Sequence, residues 1–146
     1  MKTCHKFTIL IIICAVFFAA CAGNRDQRLA EEVVDKYHKL YNEQNYEEIF
    51  KTAHEEARRT KSKEALGLAL AQAFEKYGRH LSSELVYTKI QPVPNSNERQ
   101  VEFAYKSKFE NGSRNETFLI LTNDQRGALH SIGELSDEEL EKLKSK

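Results

Sequence analysis

The chain has 146 residues, with 22 basic and 22 acidic side chains, three cysteines and no tryptophan. This length suits one ordinary hydrophobic core, so a single domain is expected. Balanced charge of mixed sign argues against a nucleic-acid surface, which needs basic side chains concentrated on one face.

Lys2 and Lys6 precede an apolar run from Phe7 to Ala20 that ends in small residues before Cys21. That is the build of a secretory signal peptide. The run is shorter than the roughly 20 apolar residues that span a bilayer. Phe18-Ala19-Ala20-Cys21 resembles the lipobox of bacterial lipoproteins. The resemblance implies cleavage before Cys21, a diacylglyceryl group on its thiol, and the membrane as a partner through that lipid. Two alternatives stay open. Ala20-Cys21-Ala22 also fits a secretory cut after Ala22, which leaves a soluble secreted protein, and an uncleaved short anchor is the other. In the lipoprotein reading residues 1–20 are the leader, 21–24 the lipidated cysteine and a short tether, and 25–146 one α+β domain. Enterobacterial-type sorting retains a lipoprotein in the inner membrane when Asp follows the cysteine. Ala22 stands there instead, so the expected site is the periplasmic face of the outer membrane. Cys4, Cys14 and Cys21 are the three cysteines, so the domain has no internal disulfide and depends on its core.

From Arg25 to Asn42, Leu29, Val33, Tyr37, Leu40 and Tyr41 recur at three and four, one stripe of an amphipathic helix. Asn45-x-x-Glu48 is a capping box that predicts a second helix burying Ile49, Phe50 and Ala53 and fading by Arg59. The basic stretch Arg58–Lys63 reads as a solvated loop. A third helix is expected from Ser62 to Tyr77, with Leu66, Leu70, Ala73 and Phe74 on one side and Gly78 at its left-handed end.

Beyond Gly78 the period changes to two. Leu85, Val86, Tyr87 and Ile90 mark a strand ended by the prolines of "PVPNSN"; Val101, Phe103, Tyr105 and Phe109 alternate along the next. Asn111-Gly112 predicts a type I′ hairpin. That turn pairs Glu110 with Ser113 and sets Tyr105 opposite Phe118, Phe103 opposite Ile120, and Val101 opposite Thr122 on the core face. The reverse face receives Ala104, Leu119 and Leu121, expected to be covered by the C-terminal helix or by a second copy or another protein. Leu129 and Ile132 suggest a last strand, and Ser136-x-x-Glu139 caps a short C-terminal helix. Three helices, a curved antiparallel sheet of about four strands and a short last helix make an α+β fold.

"YNEQNYEEIFKTA", "FEKYGRHL" and "VEFAYKSKFENGSRNETFLILTNDQRGALHSIGE" together resemble small secreted bacterial proteins of unknown function with a nuclear-transport-factor-2-like, or cystatin-like, domain. The resemblance covers about residues 25 to 134. It implies a cone whose open end holds a small apolar ligand, lined here by Tyr37, Tyr41, Phe74, Phe103, Tyr105 and Phe118. The plainer reading is that these aromatics fill the core, as aromatics commonly do.

No catalytic motif emerges. The strand registers place no carboxylate on the core face among Val101, Phe103, Tyr105, Phe118 and Ile120, whereas acid–base chemistry needs a carboxylate or histidine at a partly buried position. A pairing of His38 or His80 with a helix carboxylate at the cone mouth is the one alternative. "HEEAR" at 54–58 begins like a zinc helix, but Arg58 replaces the second histidine, and His38, His54, His80 and His130 are scattered along the chain. The expectation is a non-enzymatic envelope lipoprotein without metal or cofactor that binds a partner protein. Ala104, Leu119 and Leu121 are the expected contact surface. Ligand binding or catalysis in the cone and neutralisation of a toxin, as an immunity protein does, are the alternatives.

Overall fold

The computed structural model describes residues 25–145. The leader and Cys21 lie outside the described residues. Helix α1 occupies 25–42 and is followed by α2 (Tyr46–Thr52), α3 (Glu55–Thr60) and α4 (Lys63–Tyr77). Strands β1 (His80–Pro92), β2 (Arg99–Phe109), β3 (Gly112–Thr122) and β4 (Gly127–Leu135) form one antiparallel sheet in the order β1-β2-β3-β4, and α5 (Asp137–Lys144) closes the chain. The α+β architecture with a curved four-stranded sheet is as expected. No helix among the described residues is long and apolar enough to cross a membrane.

One cluster joins α1, α2 and α4 to a single sheet face. Val34, Tyr37, Leu40 and Tyr41 of α1, Ile49 of α2 and Leu70 of α4 pack on Val101, Phe103, Phe118 and Ile120. Asp26 fixes the start of α1 to the far end of the sheet: it accepts from the Thr122 hydroxyl at 3.1 Å and faces Arg99 Nε at 3.0 Å.

The expected second helix divides. Ala53 is extended (ψ 158°) and bridges Leu129 on the edge strand β4, while the His54 amide donates to the Leu129 carbonyl at 2.8 Å. Pairing two residues with an otherwise open strand edge satisfies backbone groups that a continuous helix would leave to water. His54 then caps a new helix, and Arg58 and Arg59 lie on its exposed side rather than in a loop.

The hairpin register also differs. Phe109 pairs with Gly112, Tyr105 with Glu116, Phe103 with Phe118 and Val101 with Ile120. Glu110 and Asn111 form the turn, with positive φ at Gly112 (+154°) and not at either turn residue, so type I′ geometry is absent. The cause is tertiary. The Glu110 and Asn111 amides donate to the Arg79 and Tyr77 carbonyls at 3.0 and 2.9 Å, and the Glu110 carboxylate accepts from the Arg79 amide at 2.9 Å. The tip is thus tied to the C-terminal end of α4. Because each residue of one strand meets a partner two positions earlier on the other, the slide keeps every side chain on its expected face.

On the reverse face, Ala104 and Leu121 are buried and Leu119 is half-buried, so they do not form the open contact patch expected of them. Helix α5 lies on that side: Asn115 donates to Asp137 at 2.9 Å, Leu140 is 1% exposed, and α5 touches β1 and β4. The capping box at Ser136 and Glu139 forms as predicted.

Candidate functional site

The six aromatics expected to line a ligand cone are placed together, but they meet one another. Tyr37 and Phe118 rings lie 5.3 Å apart at 67°, Phe103 and Tyr105 5.7 Å apart at 76°, and Tyr41 and Phe74 5.4 Å apart at 53°. Tilted and edge contacts at these separations are how aromatic cores pack. Tyr41, Phe103 and Phe118 are fully buried, and Phe74 is half-buried at the cluster's margin.

Next to these rings the sheet carries a buried carboxylate, contrary to the expectation of none on the core face. Glu116 precedes Phe118 by two, shares its face by the alternation of the strand, and is 0% exposed. The signal was present in the sequence, two residues beyond the apolar stretch. A buried charge persists only when it is paired and hydrogen-bonded. His38 Nε2 stands 2.9 Å from Glu116 Oε2, and an Arg114 guanidinium nitrogen donates to Oε1 at 2.6 Å. An ionised carboxylate only accepts, so His38 carries a proton on Nε2. Burial alone would raise the Glu116 carboxyl. The His38 hydrogen bond and charge, the Arg114 charge and the Ser107 hydroxyl outweigh it and hold the group below its ordinary value.

Arg114 is held in turn. Its guanidinium carbon sits 4.8 Å from the Phe109 ring centre and 5.2 Å from that of Tyr77, whose hydroxyl donates to Glu134 at 3.1 Å. Tyr37 has a buried hydroxyl without a hydrogen-bond partner. Burial, with the negative charge of Glu116, pushes its proton affinity far up, so Tyr37 stays neutral.

Histidines separated by 42 positions in the sequence stack here. The His38 and His80 rings are parallel with centres 3.7 Å apart. The His80 backbone is pinned to the end of α1 by Asn42, which accepts from its amide at 2.7 Å and donates to its carbonyl at 2.9 Å. Burial, reinforced by the His38 charge, lowers His80 from 6.5 to about 4. Its Nε2 lies 2.6 Å from the Ser83 hydroxyl, which is 2.8 Å from that of Ser107. A cleft of about 760 Å³ reaches Ser83, Ser107 and Arg114, while His38 and Glu116 stay buried behind them.

A serine beside a neutral histidine supplies two parts of a nucleophilic site. The third part is misplaced. Glu116 orients His38, and His38 only stacks on His80, so among the described residues no carboxylate aligns the ring that faces Ser83. Both carboxylate oxygens of Glu116 are engaged, and what the arrangement does is lock α1 and the start of β1 to the sheet.

No family model matches the chain, and no curated protein matches it.

Proposed function

We propose that the chain is a bacterial envelope lipoprotein, tethered through Cys21 at the periplasmic face of the outer membrane, whose α+β domain is a non-enzymatic module that binds a partner protein. The lipobox-like Phe18-Ala19-Ala20-Cys21 supports the anchor. The observation that carries the binding reading is the closure of the cone: its aromatics pack on one another, and Glu116 is spent on His38 and Arg114. One concave surface outside these aromatics is the cleft bordered by Glu84, Lys106, Lys108, Ser113, Asn115 and Asp137, a polar rim of both charge signs. Such a rim suits a protein surface of complementary charge more than an apolar small molecule.

Intact mass and detergent phase separation on protein from the native host test the anchor. A product beginning at Cys21 with added acyl mass, moved to the aqueous phase by Cys21→Ser, is expected. A wild-type product beginning at Gly23 in the aqueous phase refutes it. For the module, photo-cross-linkers at positions 108 and 113 in host membranes should give a discrete adduct that position 59 does not. Equal labelling at all three positions, or a small molecule retained in native mass spectrometry, counts against it.

A further inference from the structure

The "HEEAR" stretch lacks its second histidine in the sequence, and the fold supplies one from β4. One donor atom from each of His54, Glu56 and His130 lies within 4.8 Å of the others. The bridge of Ala53 to Leu129 is what brings them together, since it sets the start of α3 beside the strand residue that follows Leu129. The His54 and His130 rings are 5.9 Å apart and inclined at 56°. Two imidazoles on a tetrahedral ion, with metal–nitrogen distances of about 2.0–2.1 Å, hold their ring centres roughly 5–6 Å apart and inclined.

The other histidine cluster does not meet this geometry. His38 and His80 are parallel at 3.7 Å, so their nitrogen lone pairs run side by side instead of converging, and His38 Nε2 is already engaged by Glu116.

Two further features mark the His54 cluster. His54 Nε2 stands 3.2 Å from Glu98 Oε1, the relation by which a carboxylate orients a ligating imidazole. That leaves Nδ1 turned to the first turn of α3, where it accepts only a long 3.3 Å bond from the Glu56 amide. His130 Nδ1 is buried without a hydrogen-bond partner, a costly condition for a polar atom. A cleft of about 580 Å³ reaches His54 and Glu98 but not Glu56 or His130, and Lys51, Arg58 and Arg126 on it set an opposing charge; the exposed Glu56 is where the cluster meets solvent.

We propose that His54, Glu56 and His130 bind a divalent first-row transition ion, Zn²⁺ foremost, with Glu98 orienting His54 and the fourth position open to solvent. Two nitrogens and one oxygen suit such an ion better than calcium or magnesium, which take oxygen donors.

Calorimetric titration of the full chain in detergent with ZnCl₂ tests the site. One Zn²⁺ per chain is expected, with affinity reduced more than about 100-fold by His130→Ala and roughly 10-fold by Glu98→Gln, while His80→Asn leaves it unchanged. Long-range ¹H–¹⁵N spectra of the wild type give a readout independent of variant folding: Zn²⁺ should shift the ring nitrogens of His54 and His130 and leave those of His38 and His80. Absence of saturable binding, unchanged affinity in folded His130→Ala, or shifts confined to His38 and His80 overturns the proposal.

Discussion

Glu116→Ala removes the anion around which the buried network is built. Arg114, with a side chain only 10% exposed, then keeps its charge without the partner 2.6 Å away, and His38 loses its acceptor at 2.9 Å. Breaking a buried ion pair by deleting one member costs about 3–5 kcal/mol, because the remaining charge stays desolvated. For a domain of this size that is roughly 10–20 °C in Tm. Urea unfolding read by far-UV circular dichroism gives the free energy directly, and an unchanged slope shows that the same surface unfolds. The double variant Glu116→Leu with Arg114→Met removes both charges and should recover most of the loss, to within about 1–2 kcal/mol of wild type. A cost below about 1 kcal/mol for Glu116→Ala, or a double variant no more stable than the single one, refutes the reasoning.

The pH response follows from His80. Its folded value of about 4 lies below the 6.5 of the free side chain, so the unfolded chain takes up the proton first and stability falls as pH drops from 6.5 toward 4. Urea midpoints across that window should decline more steeply for wild type than for His80→Asn; parallel curves count against the assignment. Glu116, held low, adds its own loss only at more acid pH, as its carboxylate protonates. Gly78→Ala places a Cβ at φ +75° and 2.8 Å from Glu110 Oε2, so it should cost about 1–3 kcal/mol and loosen the hairpin tip, seen as faster amide exchange at Glu110 and Asn111. Leu140→Ala, at a position 1% exposed, should cost about 2–5 kcal/mol and open the reverse face to a hydrophobic dye; a neutral result would mean that α5 does not cover that face.

Local rules account for much of the fold. The stripe of α1, the caps at Asn45 and Ser136, and the alternation along β2 and β3 each reflect a few neighbouring residues; the helices begin and the strands run where the pattern puts them, while the second helix ends at Thr52, short of its predicted length. Even the face of Glu116 was legible, since it needs only the two-residue period of a strand. The pairing register was not. Asn111-Gly112 favours one turn by local propensity, but three hydrogen bonds to the end of α4 select another, and those partners lie more than thirty residues away.

The same limit governs the histidines. Their residue types and numbers are fixed by the sequence, and nothing in the spacing of His38 and His80, or of His54 and His130, announces a meeting. His80 reaches His38 because Asn42 clasps its backbone, and His54 reaches His130 because two residues between helices pair with an open strand edge. The sequence by itself determined the order and kind of the elements and the faces their side chains take, because those depend on short-range backbone geometry. Only the tertiary structure decided which charged and ring-bearing groups share a site, because that depends on hydrogen bonds formed after distant segments have come together.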